Sequence, residues 1–196
     1  MTDARAYWDA QAATFDDEPD HGLHDARTRD AWAALLLPEL PEAPADVADL
    51  GCGTGSLSCL LASAGYDVRG TDLSPAMVEA ARAKAAAAGL EVSFEVGDAS
   101  EPDLPEGSFD VVLVRHVLWA LPDRDAAVDR WVRLLRPGGR LVLVEGFWHT
   151  GAGMRAVETE AVLRRHRSEV KVCRLDDPDL WGRPVDDERY LVVSRR

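Results

Sequence analysis

VADLGCGTGSL, residues 47–57, is the stretch on which the fold turns. It opens as a short apolar strand, passes Asp49 and Leu50, sets down Gly51, Gly53 and Gly55, and runs directly into a helical pattern over 56–64. Glycines at such spacing allow a tight strand-to-helix turn and let a ligand approach the backbone closely. The next apolar run, DVRGT at 67–71, ends at Asp72, 17 residues beyond Gly55. A carboxylate there can accept hydrogen bonds from both ribose hydroxyls of a nucleoside. A dinucleotide fingerprint wants glycine at the sixth position of its loop, where this chain has Ser56, and no Gly-Lys-Ser/Thr follows to make a P-loop. A nucleoside lacking a diphosphate fits the spacing better.

Outward from this turn, short apolar runs alternate with helical patterns. Ser74 precedes Pro75 at the start of a helix and Gly89 stands just past its end, the usual cap residues. EVSFEV (91–96), FDVVLV (109–114) and RLVLVEG (140–146) read as strands, with further strands near 169–175 and 189–194. Val128, Trp131, Val132 and Leu135 share one helical stripe, and another helix is expected near 154–166. The pattern predicts an α/β, Rossmann-like three-layer sandwich around a mainly parallel seven-stranded sheet. The last two strands are joined by LDDPDLWGRPVDDE (175–188), which holds no evident crossover helix, so the last strand is expected antiparallel. Residues 1–45 read as a small N-terminal helical cap or lid, and 46–196 as the ligand-binding domain. Within the cap, Trp8, Ala12 and Phe15 recur at helical spacing, as do Trp32, Leu35 and Leu36, while FDDEPDHGLHD (15–25) reads as a loop.

Five segments in order, VADLGCGTGSL, GTDLSPAMVEAAR (70–82), GDA (97–99), SFDVVLVRHVLWAL (108–121) and LLRPGGRLVLVE (134–145), resemble the motifs of class I S-adenosylmethionine (SAM)-dependent methyltransferases. Within that family the chain is most similar to the small-molecule, ubiquinone-biosynthesis-like group, and YWDAQAATFD (7–16) resembles that group's opening segment, with Phe15 where many relatives show tyrosine. The resemblance implies SAM as cofactor and S-adenosylhomocysteine (SAH) as product. It implies that Asp49 and the backbone of Gly51, Cys52 and Gly53 hold the methionine end, helped by the main chain at Arg115. Asp72 would take the ribose; Leu73 and Met77 would flank adenine, with Asp98 and the backbone of Ala99 at its amino edge. Tyr7 and Trp8 would close over the cofactor. Read without the resemblance, Asp98 is a turn residue, Met77 a core residue, and Tyr7, Trp8 and Phe15 pins for the N-terminal helix.

Methyl transfer needs alignment above all, and a base only where the acceptor must shed a proton. His116, after the fourth strand, and His149, after the fifth, are the candidate catalytic groups, with His21 and His24 behind them; each also has a packing reading. Phe15 and Trp148 are expected at the substrate; Trp119 could join Trp148 in an apolar substrate wall, but as the start of a helix-like run its favoured reading is core packing.

Acidic residues outnumber basic ones, 35 against 22, which argues against a nucleic-acid partner. RHRSEVKVCR (165–174), the one basic stretch, reads as a solvated helix end and strand face. No apolar run approaches the ~20 residues that cross a bilayer, so no membrane partner and a cytoplasmic location are expected. The three cysteines form no metal or disulfide framework, and no metal is expected. The expected function is methylation of an oxygen or nitrogen on a small molecule. A protein acceptor or a non-catalytic SAM-binding regulator is the alternative, and a homodimer is left open.

Overall fold

The computed structural model describes residues 4–195. Seven strands form one sheet: β1 (Asp46–Leu50), β2 (Asp67–Asp72), β3 (Ser93–Val96), β4 (Phe109–Arg115), β5 (Leu135–Phe147), β6 (Glu169–Arg174) and β7 (Glu188–Arg195). Their spatial order is β3-β2-β1-β4-β5-β7-β6. The neighbours from β3 to β5 run parallel, and β7 lies antiparallel between β5 and β6. The absence of a crossover helix in 175–188 thus has its expected consequence: that segment carries only a 3-10 turn at Pro178–Leu180.

The near-continuous apolar strands are explained by burial on both faces. Along β4, Val111 and Leu113 join one core with Trp32 and Leu36 of α3 (Ala26–Leu36) and Leu57, Leu60 and Leu61 of α4 (Ser56–Ser63). Val112 and Val114 enter the opposite core with Trp131 of α6 (Arg124–Leu134) and Leu163 of α7 (Ala156–Leu163). Beyond β2, α5 (Pro75–Ala87) packs Val78, Ala81 and Ala85 on Phe94. Ser74 Oγ accepts from Met77 N at 3.1 Å, capping α5 as read.

Two readings of the N-terminal region change. The stretch 15–25 is an ordered part of the fold: a 3-10 turn at Phe15–Asp17 leads to the one-turn helix α2 (Pro19–Gly22). Short-range propensity missed it because its anchors are distant, above all Arg115. The helix α3 is committed to the sheet, with Trp32 and Leu36 fully buried and Trp32 Nε1 donating to the Leu180 carbonyl at 2.8 Å. Only α1 (Ala4–Gln11) and the following turns rim the carboxyl ends of the strands. Strand order reverses between β1 and β4, where ligands bind in open sheets of this kind.

Candidate active site

A cavity of about 660 Å³ opens at this switch point, and Asp49, Gly51, Cys52, Gly53, Asp72, Leu73, Met77, Asp98, Ala99 and Arg115 all line it. The glycine turn is held from below. Gly51 N and Cys52 N donate to the Thr71 carbonyl at 2.7 and 3.0 Å, and Gly53 N donates to Asp72 Oδ2 at 2.8 Å. Gly51 has φ +74°, and a Cβ there would lie 2.3 Å from Cγ2 of Val117, so glycine is required by both backbone and space. With these three N–H groups spent on β2, what Gly51–Gly53 present to a ligand is their carbonyl acceptors.

Two carboxylates complete this half. Asp49 is buried at the end of β1, where Ser58 Oγ donates to its Oδ2 at 2.6 Å; burial pushes its carboxyl up to about 6. Asp72 receives Ser74 N at 2.9 Å as well as Gly53 N, and burial outweighs those bonds and raises its pKa. Phosphate binding wants free backbone N–H groups and positive charge. Acceptors beside two carboxylates suit an ammonium and ribose hydroxyls, so the residues fit SAM. Asp98 is exposed and its Oδ1 takes Ser100 N at 2.7 Å, the turn role, while its position still borders the cavity. Met77 is 1% exposed, a core residue whose side chain also borders the cavity.

The roof comes from 4–25. Tyr7, Trp8 and Phe15 form an edge-to-face series with ring centroids 5.1 and 6.3 Å apart, and Phe15 stacks on His21 at 4.2 Å. Three aspartates unnoticed in the sequence fasten this segment. Asp9 accepts from Ser74 Oγ at 2.5 Å, and Asp16 pairs with Lys84 at 2.8 Å while Thr54 Oγ1 donates to it. Asp20 takes Arg115 through both its side chain and its carbonyl, at 2.5 and 2.7 Å. The Arg115 guanidinium also lies 4.5 Å over the Trp32 ring. The expectation for Arg115 concerned its main chain; its buried side chain is what ties the roof to β4.

Opposite the cofactor half stands an aromatic wall. His116 has φ +58°, and its ring meets that of Trp148 edge-on at 5.1 Å. Its Nδ1 is buried without a hydrogen-bond partner among the described residues. Burial, then the charges of Arg115, His21 and Arg189, hold the imidazole well below its usual pKa. Trp119 differs from its core reading: it sits in a 3-10 turn at Leu118–Ala120, lines the cavity and lies 5.5 Å edge-on from Trp148. The sequence put it in a helix-like run, whereas the turn rotates its ring toward the cleft. Glu145, fully buried at the end of β5, accepts from Val117 N and Leu118 N at 3.0 and 2.7 Å, and burial pushes its carboxyl up to about 8.

His149 is not brought to this cleft. Its side chain is 66% exposed, its Nε2 lies 2.8 Å from Asp186, and it borders a separate shallow hollow with Arg155 and Arg174. After Trp148 the chain turns back on itself, Trp148 N donating to the Ala152 carbonyl, and that turn carries the imidazole outward. His24 is exposed as well, whereas His21 lines the cavity. The basic stretch is only partly a solvated face: Arg165 and His166 meet Asp125, Lys171 meets Glu39 and Arg174 meets Asp176, while Arg167 is buried and donates to the Gly139 and Ser194 carbonyls. Among the described residues no acidic, histidine or cysteine group is placed to hold a metal, and no helix is long and apolar enough to cross a membrane.

Residues 48–143 match the family model described as a methyltransferase domain. The demethylmenaquinone methyltransferase of Thermus thermophilus is 41% identical over 108 residues, covering 54% of this chain and 49% of that protein. The 27-O-demethylrifamycin SV methyltransferase of Amycolatopsis mediterranei is 35% identical over 178 residues, covering 87% and 61%. The chain therefore spans about half to three-fifths of these relatives' lengths. A solved SAM-dependent methyltransferase from Mesorhizobium loti shares the fold with a TM-score of 0.65 at 24% identity, covering 84% of this chain and 97% of that one. The chain belongs to the class I SAM-dependent methyltransferases, and SAM is the cofactor of that family.

Proposed function

We propose that the protein transfers a methyl group from SAM to an oxygen or nitrogen of a small-molecule acceptor. The observation that carries this reading is the division of one cavity. One half offers carboxylates and carbonyl acceptors, and the other is walled by Trp119, Trp148 and His116. When bound, SAM supplies a sulfonium methyl whose in-line transfer to a lone pair discharges the sulfur. Asp49 and the carbonyls of Gly51–Gly53 would hold its ammonium, with the main chain at Arg115 beside them. Asp72 would hold the ribose hydroxyls, Leu73 and Met77 the adenine faces, and Asp98 with the backbone of Ala99 its amino edge. Tyr7 and Trp8 would cover the cofactor, and Phe15 and Trp148 would bound the acceptor.

Positioning supplies most of the acceleration in such a reaction. Burial and the neighbouring cations hold the His116 imidazole below its usual pKa and so favour its neutral form, which at the cavity wall would take a proton from, or orient, the acceptor's hydroxyl or amine. His149, outside the cavity, has no part in this. A volume of about 660 Å³ under a roof of 4–25 suits a small acceptor. The name of the Amycolatopsis relative, which acts on a small O-demethylated compound, supports the same class.

Thermal shifts with SAM, SAH and NAD test the cofactor assignment: stabilisation by the first two and none by NAD is expected. SAH release, followed over a panel of phenols, carboxylic acids and amines, tests turnover. His116→Ala is expected to lower turnover about 100-fold at near-normal SAH affinity. An unchanged rate would remove it from the reaction.

A further inference from the structure

We infer that Glu145 is a positioning residue for the acceptor wall, holding His116 and Val117 in register with the glycine turn. The inference rests on the methyltransferase reading only for what the wall does; the clamp itself is a matter of geometry. Glu145 is 0% exposed, and one carboxyl oxygen accepts both Val117 N and Leu118 N. Its Oε2 is buried with no hydrogen-bond partner among the described residues. An acid kept in such a place at that cost, with an apolar side chain able to fill the same volume, points to a task that apolar packing cannot perform.

The task is visible in what the two N–H groups belong to. His116 is one of two non-glycine residues with positive φ among the described residues, at +58°, a conformation that is held only where neighbours over-determine it. The main chain on its N-terminal side is fixed by the sheet, since His116 N donates to the Val144 carbonyl at 2.9 Å. On its C-terminal side the fixing comes from Glu145, one residue beyond Val144 on the same strand. Two successive residues of β5 thus grip both sides of the strained position. The same grip sets Val117 close against Gly51, and sets the start of the 3-10 turn that presents Trp119, whose Nε1 returns to the His116 carbonyl at 2.9 Å. One buried side chain therefore links the imidazole, one indole and the cofactor turn. A neutral acceptor oxygen suffices for this work, because both partners are neutral amides.

The test compares Glu145→Gln, which keeps an accepting oxygen, with Glu145→Met, which keeps the volume and removes it. The readouts are SAH affinity by calorimetry, the 13C resonance of the His116 ring in histidine-labelled protein, and SAH release with the best acceptor of the panel above. Glu145→Met is expected to shift the His116 resonance and cut turnover at least about tenfold, with a smaller loss of SAH affinity. Glu145→Gln should restore the resonance and bring turnover within about twofold of wild type. A folded Glu145→Met with wild-type resonance and turnover would overturn the inference, and so would Glu145→Gln as impaired as Met. Should Glu145→Met not fold, a shifted His116 resonance in folded Glu145→Gln overturns it and an unshifted one supports it. Wild-type protein that binds no SAH would sink the methyltransferase reading and leave the resonance comparison standing.

Discussion

The two halves of the cavity are built in different ways. The cofactor half is made of strand ends and one turn: Asp49, Gly51 and Gly53 lie within five residues, and Asp72 follows on the adjacent strand. Backbone N–H groups bonded to the Thr71 carbonyl and the Asp72 carboxylate shape the turn, with Asp49, Leu73 and Met77 lining the cavity beside it. The other part, the roof together with the acceptor wall, is assembled from α1, α2, the turn after β4 and the end of β5, and it is held by side-chain bonds between residues far apart in sequence. Asp20 and Arg115 are 95 positions apart, Asp9 and Ser74 are 65, and Glu145 reaches back 28 to Val117. The difference teaches where tolerance should lie. The first half is protected by the sheet's own hydrogen bonding, whereas the second depends on a few polar contacts, each of which can be broken singly.

Asp20→Ala should have the largest effect. It strands the buried Arg115 guanidinium, whose burial already lowers its pKa, and the loss of folding stability is expected at about 3 kcal/mol in urea unfolding. A loss under about 1 kcal/mol would show that the roof is not fastened there and would blur the contrast between the halves. Asp72→Ala should come next, weakening SAH by about 100-fold, since two hydroxyl bonds to a carboxylate are lost. The fold should survive it, because Thr71 still holds Gly51 and Cys52.

A smaller effect follows from Asp49, whose carboxyl titrates at about 6 in place of the usual 3.8. A raised carboxylate pKa means that the folded chain retains a proton the unfolded chain has released. This group's share of stability therefore falls as pH rises from about 4 to 6. Ligand affinity runs the other way, because an ammonium prefers the ionised acid. SAH binding should strengthen about tenfold between pH 5 and pH 7, and Asp49→Asn should flatten that slope. His149→Ala should do least, changing stability by no more than about 0.5 kcal/mol and leaving turnover unaltered. A clear loss of turnover there would mean that the hollow beside Asp186 takes part in the chemistry.

The same contrast explains how much could be read from sequence. The strand-turn-helix with its following aspartate is contiguous, so the sheet, the glycine turn and Asp72 are legible from spacing, whereas the other cofactor positions rest on the family resemblance. The antiparallel last strand was legible too, since 175–188 has no helix to carry a parallel crossover. His149 and Trp119 were misplaced for one physical reason: a tight turn decides where a side chain points, and the turns at 118–120 and 148–152 show no periodicity to read. The roof over 15–25 reads as loop in the sequence because its order comes from Arg115, Thr54 and Lys84 rather than from its own residues. A cue did exist in Asp16 and Asp20, acids spaced along a segment expected over a ligand, but nothing local named their partners. Glu145 had no cue beyond being an acid ending an apolar strand.

Calorimetric titration of the wild-type protein with SAH, run beside NAD, tests the central claim most directly. One SAH per chain, with no heat from NAD, is the result this architecture requires. Binding of NAD in preference to SAH would mean that the turn at Gly51–Gly55 serves a diphosphate after all.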